Sequence, residues 1–352
     1  MGSADLRPYL DDLEGRIVPA VEEELLAAWR TFQAGRWPEP IFSPRRRQVA
    51  PPRCAWPEVT VNKALGNGDA MALQQFRMVS DALAGATGGM LCVRCNYGVG
   101  ILPTLFGARM FLMADEQNCL PNVWPLDGGS PTLDATLARG IPDLHSNLGG
   151  HVFAMGRYFR DLLAPYPHLS RYVHLYHPDL QGPLDVTELL WGSSIFTALL
   201  DETERVHAML DLVVRTYTAF LQEWYAMVPP VDGEAVHWAM LHRGRIMLRD
   251  DSAMNLSPAM IQEFVAPYDQ RLLKAFGGGC IHYCGRGDHH MPILAHLDSL
   301  YGVNLSQPEM NKMESIFHHT VDRGIPLLGL EKTAAQAALD AGRDLHHLVH
   351  CW

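Results

Sequence analysis

A histidine and a cysteine two residues apart, His282 and Cys284, have the types and spacing best suited to chemistry in this chain. They follow the glycine run 277–279, at the end of an apolar segment that predicts a buried strand. Side chains two apart on a strand point to the same side. An imidazole and a thiolate on one side supply two of the three protein ligands that a catalytic zinc ion usually has. The alternative without a metal is a polar strand end that contains a buried thiol.

The other cysteines have simpler interpretations. Cys280 shares the side of His282 but lies deeper, so we expect it in the core. Cys92 and Cys95 form a C-x-x-C pattern, but on a strand they would face opposite sides, which argues against a redox pair. We expect a lowered pKa for Cys284, which lies near Arg286 and the predicted metal.

The composition excludes several classes of protein. The chain has 352 residues, 48% of them hydrophobic, enough for one large domain or two small ones. A formal charge of −11 argues against general nucleic-acid binding. No segment approaches the roughly 20 apolar residues that cross a bilayer, and no secretory signal is visible. Seven widely spread cysteines argue against a disulfide framework, so we expect a cytoplasmic protein.

The positions of these residues depend on a run of alternating strands and helices that begins near residue 90. This alternation predicts a parallel sheet, and eight strands suit an α/β fold of the (β/α)8 TIM-barrel type. A doubly wound sheet is the main rival, but the segment 96–100 lacks its third phosphate-binding glycine and a following helix pattern. The predicted strands are Met90–Asn96, Met110–Ala114, Tyr172–His177, Gly244–Arg249, Gly279–Cys284, Gly302–Leu305, Pro326–Leu330 and Leu345–His350.

The N-terminal part of the sequence has a different pattern of residues. Helical periodicity covers residues 6–33 and 70–83, and the Pro- and Arg-rich segment 36–57 predicts an irregular arm. We therefore expect residues 1–85 to form a helical extension and arm packed on a barrel of residues 86–352, as a single structural domain overall. Other predicted helices are 201–228, 258–276, 310–323 and 334–341.

Polar residues collect after most of the predicted strands. In such barrels the carboxyl ends of the strands converge on the active site, so we expect these residues to surround one ligand. Taken one at a time, each of these polar residues could instead cap a helix, form hydrogen bonds within the core or contribute to packing. The candidates for moving protons are Asp250, Asp251 and Glu331. The candidates for binding substrate are Arg94, Asn96, Tyr97, His177, Asp179, Trp191, Arg249, Asn304 and Gln307.

Several motifs together resemble the uroporphyrinogen decarboxylase superfamily, which includes corrinoid:thiol methyltransferases. They are DDS at 250–252, FVAPY at 264–268, H-x-C-G at 282–285 and YGVN at 301–304. The resemblance covers roughly residues 60–352. It implies a (β/α)8 barrel and a zinc ion held by His282, Cys284 and a cysteine of the last strand. Cys351 best fits the third position, with its neighbour His350 as the competitor.

The methyltransferase branch implies a zinc-dependent enzyme that moves a methyl group between a small molecule or thiol and cobalt. The corrinoid would come on a partner protein, because the chain lacks a D-x-H-x-x-G cobalamin motif. The alternative in the same pocket is a metal-dependent decarboxylase or lyase of a small carboxylated substrate, and a binding protein without turnover is a third hypothesis. Few arginines lie near the predicted pocket, so a polycarboxylated tetrapyrrole is not the expected substrate. A homodimer is a further expectation, and nucleic-acid and membrane partners are not expected.

Overall fold

The protein is described by a computed structural model of residues 5–231 and 233–352. Helices and strands alternate along most of the chain after residue 90. The helices are α1 (Arg7–Glu14), α2 (Pro19–Gln33), α3 (Val61–Gly66), α4 (Gly68–Ala84), α5 (Ile101–Leu105), α6 (Ser130–Arg139), α7 (Asn147–Leu163), α8 (Pro167–Tyr172), α9 (Pro183–Trp191), α10 (Ile195–Asp201), α11 (Thr203–Met227), α12 (Pro258–Phe264), α13 (Ala266–Ala275), α14 (Met291–Leu294), α15 (Met313–His319) and α16 (Lys332–Asp340). The strands are β1 (Ile41–Phe42), β2 (Cys92–Val93), β3 (Arg109–Phe111), β4 (Asn122–Trp124), β5 (His174–Leu175), β6 (Glu234–His237), β7 (Met240–Arg243), β8 (Ile246–Arg249), β9 (Gly279–Tyr283), β10 (Leu300–Leu305), β11 (Leu327–Leu330) and β12 (Val349–Cys351).

The architecture is mixed α/β with a parallel central sheet, as the alternation predicted. The sheet has six strands in the order β1-β12-β11-β10-β9-β8, and β2 and β5 form a separate parallel pair. The strand pairs β3–β4 and β6–β7 are antiparallel hairpins. Among the residues described, strand pairing thus gives parallel sheets of six and two strands and two antiparallel pairs.

Burial on both faces explains the composition of the central strands. β8 and β9 read IMLR and GCIHY, and every residue in them is buried. The larger hydrophobic cluster contains residues of the helices and of these strands. A smaller cluster joins Trp29 and Phe32 of α2 to Met247, Cys280 and Leu328, which lie on three different strands of the sheet. The sheet is therefore covered by two separate apolar clusters.

The hairpin β6–β7 belongs to the smaller cluster. Strand β7 packs against β9, β10 and α2. Its two-residue turn, Trp238–Ala239, has φ values of 45° and 64°, which non-glycine residues rarely adopt. The Ala239 carbonyl accepts a hydrogen bond from the Met90 amide at 2.8 Å. A Cβ on Gly89 would lie 2.7 Å from that of Ala239, so only glycine lets the turn approach this closely.

Two strand predictions were wrong for identifiable reasons. The segment 110–114 was expected in the parallel sheet, but Arg109–Phe111 pairs antiparallel with Asn122–Trp124, because the connection 112–121 is shorter than the dozen or more residues that a parallel crossover needs. The arm 36–57 was expected to be irregular, yet Ile41–Phe42 pairs with β12 and forms the edge of the six-stranded sheet. A strand of two residues between Pro40 and Pro44 gives too short a pattern to be recognised.

Prolines and local breaks divide the long helices that periodicity predicted. The 6–33 helix stops at Glu14 and restarts at Pro19, because the residue before a proline avoids the helical region. The predicted 201–228 helix is present as the single helix α11, whereas the 258–276 helix divides at Val265. No helix of the described residues is long and apolar enough to cross a membrane.

Buried ion pairs hold the N-terminal segment in place. Glu22 of α2 pairs with Arg46 at 2.7 Å, and Asp12 of α1 pairs with Arg16 at 2.9 Å; all four side chains are almost fully buried. The proposed boundary at residue 85 stays a prediction, although β1 places part of this segment in the sheet. Residues 1–4 of the segment lie outside the described residues.

Replacing Trp29 by alanine should lower the free energy of unfolding by about 3–5 kcal/mol, as large aromatic truncations in cores do. Trp29 is fully buried, and its Nε1 donates to the Gly88 carbonyl at 2.8 Å. Chemical denaturation followed by circular dichroism measures the change. Met78, 61% exposed on α4, is the control, and its alanine variant should change stability by less than about 0.5 kcal/mol. Similar changes in both variants would contradict the assignment of Trp29 to the core.

Candidate metal centre

Strand register brings three polar residues side by side at the end of the sheet. Arg249 of β8 is the partner of His282 in β9, and His282 is the partner of Asn304 in β10. Their side chains alternate with apolar residues that face the core, so all three project to the same side of the sheet. Residues 33 and 22 positions apart along the chain therefore become neighbours.

Asn304 fixes the orientation of the His282 ring. The Asn304 Nδ2 donates to the Leu328 carbonyl at 2.6 Å, and its Oδ1 lies 2.6 Å from His282 Nδ1. Since that oxygen is an acceptor, Nδ1 carries the proton and Nε2 presents a lone pair. Burial lowers the pKa of His282, so the ring is neutral at pH 7. A neutral imidazole held by its other nitrogen is the form that binds metals.

The lone pair of His282 faces two further donor groups. Cys284 Sγ lies 3.4 Å from His282 Nε2, and Asp251 Oδ1 lies 3.8 Å from it. The Cys284 amide donates to Asp251 Oδ1 at 2.7 Å, which ties the carboxylate to the strand end. One donor atom from each of the three residues lies within 4.8 Å of the others. Nitrogen, sulfur and carboxylate oxygen at this spacing fit the donor set of zinc.

The third member of this cluster is Asp251, which sequence reasoning had assigned to proton transfer. Within the described chain, the cluster does not include Cys351 or His350. Cys351 is buried at the end of β12, opposite Leu330, and burial raises its pKa to about 12. His350 is fully buried, its ring lies against that of Trp29, and its Nδ1 accepts from the Gly329 amide at 2.9 Å. Their role as metal ligands stays a prediction.

The expectation of a lowered pKa for Cys284 was wrong for the protein without a metal. Burial raises the pKa of this thiol to about 11, and the neighbouring Asp251 carboxylate adds to the effect. Arg286, expected to lower it, forms an ion pair with Asp288 at 2.6 Å instead. A bound cation would reverse this balance, because a coordinating thiol loses its proton.

A cavity of about 790 Å³ opens beside His282. Its wall includes Asn304, Ser306 and the exposed Glu331, together with the indole rings of Trp238 and Trp352. Ser306 Oγ lies 3.6 Å from Cys284 Sγ, and the Trp238 ring meets that of His282 at 4.7 Å. Sequence reasoning missed Trp238 because its turn has neither the asparagine nor the glycine that identifies tight hairpins.

A smaller cavity, about 340 Å³, lies on the other side of Asp251. Asp185 lines it and accepts hydrogen bonds from the amides of Asp251 and Ser252, at 3.0 and 2.6 Å. Sequence reasoning also missed this residue, since a lone aspartate in a helix carries no signal. Asp185 holds the backbone that presents Asp251 to the cluster.

Three of the predicted substrate-binding residues instead form one internal ion-pair network. Asp179 accepts from Arg94 at 3.2 Å and pairs with Arg249 at 2.5 Å. The Arg249 guanidinium lies over the Trp238 ring at 4.7 Å and is almost fully buried. The Asp179 carboxylate thus pairs with both cations and offsets one of their two charges, and the network supports the Trp238 wall. His177 is buried as well, and its Nε2 accepts from the Met247 amide at 3.2 Å.

The remaining candidates lie around the site in separate environments. Gln307 Oε1 accepts from the Gly285 amide at 2.6 Å and so holds the turn after Cys284. Asp250 is buried beside Asp269, and burial together with that second carboxyl raises its pKa well above the usual range. The others are Tyr97, buried against His151, Trp191, packed on the larger core cluster, and Asn96, whose Oδ1 is buried without a partner among the described residues.

Comparison with known proteins identifies a similar fold. No family model and no curated protein matches this chain. Among solved structures, a methyltransferase from Methanosarcina mazei is similar, with a TM-score of 0.60 and 16% sequence identity. The match covers 83% of this chain and 81% of that one. At this identity the likeness shows a shared fold.

Zinc affinity of the purified protein should rise about tenfold per pH unit between pH 6.5 and 8.5, because binding displaces one thiol proton. The pKa of Cys284, about 11, lies above this window, whereas His282 with its lowered pKa contributes no proton. Competition with a chromogenic chelator measures the slope. Cys284→Ala should bind far more weakly and lose the slope, while Cys54→Ala should keep both. A slope near zero in the unmodified protein would exclude the thiol as a ligand.

Asn304→Ala should weaken zinc binding about 10–100-fold, the usual cost of removing a group that orients a ligand histidine. The ring would lose the acceptor that fixes its Nδ1 proton. The same chelator competition measures the loss. Asn62→Ala, which removes hydrogen bonds to Met113 and Asp115 elsewhere, is the matched control. Unchanged affinity in Asn304→Ala would show that His282 is positioned by other contacts.

Proposed function

We propose that this protein is a metal-dependent methyltransferase of the uroporphyrinogen decarboxylase superfamily. The convergence of His282, Cys284 and Asp251 beside a large cavity carries the proposal, because no ordinary packing role requires these three donors to meet. The likeness in fold to a protein named as a methyltransferase supports the choice of reaction.

We infer that the eight parallel strands close into a (β/α)8 barrel. Two contacts support this closure at the gaps between the six-stranded sheet and the β2–β5 pair. The Gly182 amide, beyond the end of β5, donates to the Arg249 carbonyl of β8 at 2.8 Å. On the other side, Arg45, just after β1, forms an isolated antiparallel bridge with Thr87, just before β2; this contact brings the two chain segments together but is not itself a parallel strand pairing. In a barrel all the strand ends named here would surround one pocket.

Zinc is the metal that the donor set favours. His282 and Cys284 would hold it together with one third ligand, which is Asp251, Cys351 or His350, and the fourth position would stay open for the substrate. A zinc ion bound here would act as a Lewis acid that lowers the pKa of a substrate thiol. Residues of the chain would position the substrate, exclude water and transfer its proton.

Asn304 keeps the His282 proton on Nδ1, and Asp185 keeps the Asp251 backbone in place. Trp238 and Trp352, which line the cavity, would pack against the substrate and exclude water from it. Glu331, exposed at the cavity wall, would accept the substrate proton, and Asp250, buried with a raised pKa, would hold one.

The methyl donor or acceptor on the other side of the reaction would be a corrinoid carried by a partner protein. A small-molecule substrate fits the cavity of about 790 Å³. We infer a cytoplasmic homodimer, and the seven widely spread cysteines, all free in the structure, support a reducing compartment.

Zinc-loaded protein should transfer the methyl group of free methylcobalamin to a small thiol, and loss of the methylcobalamin absorbance measures the rate. Cys284→Ala should reduce the zinc-dependent rate at least about 100-fold, since removing a ligand costs no less than removing its orienting group. Cys54→Ala, which alters a cysteine outside the cluster, should be unaffected.

Two results would overturn the proposal. Full activity of Cys284→Ala, or of protein stripped of metal, would remove zinc from the reaction. Release of CO2 from a carboxylated substrate without any corrinoid would instead assign the site to the decarboxylase alternative.

A further inference from the structure

A second cavity lies apart from the metal centre. Its volume is about 590 Å³, and it is bounded by α2, the start of β5, the C-terminal end of α11 and the hairpin β6–β7. None of its lining residues lines the cavity beside His282. The role of this second cavity is therefore separate from the proposed chemistry.

Tyrosine and histidine rings form a large part of the wall of this cavity. Six of them, all from β5, the adjoining segments, α11 and β6, line the cavity: Tyr172, His174, Tyr176, His177, Tyr225 and His237. Aliphatic side chains, among them Leu26, Leu163 and Leu241, complete the wall. Ring faces and aliphatic groups suit a flat apolar ligand, which they contact over a large area.

The charged residues at this cavity already have partners. Glu23 pairs with Arg171 at 2.6 Å, and Arg30 pairs with Glu234 at 2.9 Å. The other two that line it, Glu22 and Arg160, pair with Arg46 and Asp161. An ionised ligand would enter an apolar space without a free counter-charge, at a large cost in desolvation. The cavity therefore favours a neutral ligand.

The hydrogen bonds of the histidines identify a missing donor. His242 Nδ1 lies 2.9 Å from the Arg243 carbonyl, so it carries a proton and leaves Nε2 as an acceptor. His237 Nδ1, 2.7 Å from that Nε2, must then donate, and its own Nε2 holds a lone pair. This Nε2 is buried and has no partner among the described residues. Burial lowers the pKa of both rings, so both are neutral.

Two further polar groups of the wall are unused. Among the described residues, nothing gives the Tyr176 hydroxyl or the His174 ring a hydrogen bond, although Tyr176 is only 8% exposed. Burial lowers the pKa of His174 to about 4, so its ring is neutral and has one free acceptor nitrogen. Unpaired polar groups in a mostly apolar space are typical of ligand sites, where the ligand completes the bonds.

We propose that this cavity binds a neutral aromatic molecule of one or two rings that carries a single N–H or O–H donor. The rings of the wall contact its faces, and the donor bonds to one of the free acceptors of His174, Tyr176 or His237. Indole is the simplest probe with these properties.

Isothermal titration of the purified, folded protein with indole tests the proposal. Ala235→Leu fills the cavity from its β6 wall and should weaken binding about tenfold or more, as overfilling of a packed space does. Ala27→Leu, an exposed position of α2 outside the lining, makes the same chemical change and should bind as the unmodified protein does.

The chemistry of the ligand is tested with two analogues. 1-Methylindole, which lacks the donor, should bind about three- to tenfold more weakly, the worth of one hydrogen bond. Indole-2-carboxylate, an anion, should bind more weakly than indole. Absence of indole binding, equal binding by Ala235→Leu and Ala27→Leu, or preference for the carboxylate would each overturn the proposal. Titration of metal-free and zinc-loaded protein should give the same indole affinity.

Discussion

The in-register pairing of β8, β9 and β10 is the constraint on which the metal centre depends. It sets Arg249, His282 and Asn304 in one row, although they are distant in sequence. A shift of one residue in β9 would turn His282 toward the opposite face and place Ile281 or Tyr283 in its position. The buried apolar neighbours of His282 prevent this shift, because each would then lose its place in a core cluster. Packing thus determines where the chemistry can occur.

Two groups of interactions hold the residues that this register aligns in fixed positions. The bonds of Asn304, Asp185 and Gln307 to ring or backbone atoms orient the donors from behind. The hairpin β6–β7 supports the site from the other side, since Trp238 lies between Arg249 and His282. The donor atoms of His282, Cys284 and Asp251 contact one another, although Asp251 Oδ1 also accepts from the Cys284 amide. Most of the polar contacts around the site therefore position the donors, and the donor atoms remain close enough to bind one cation together.

The sequence predicted those parts of the structure that follow from local patterns. The strands β8 to β11 and the meeting of His282 with Cys284 follow from apolar runs and from period-two geometry. Asp251 was recognised as a site residue, but its approach to His282 depends on a loop held by Asp185, which no local pattern reveals. The strand β1 and the Trp238 turn were missed because tertiary contacts stabilise them against weak or unfavourable local preferences. Whether Cys351 or His350 binds metal depends on long-range distances that spacing does not determine.

The position of the hairpin β6–β7 also has a consequence for how the protein folds. Val236, Met240 and Leu241 fill the same cluster as Met247, Cys280 and Leu328 of the sheet. If the parallel strands paired before the hairpin arrived, these side chains would surround an empty space, and the strained Trp238–Ala239 turn would have nothing to hold it. Docking of the hairpin therefore completes the packing of this cluster. The sheet and the hairpin share one buried apolar cluster, so each is fully packed only when the other is in place.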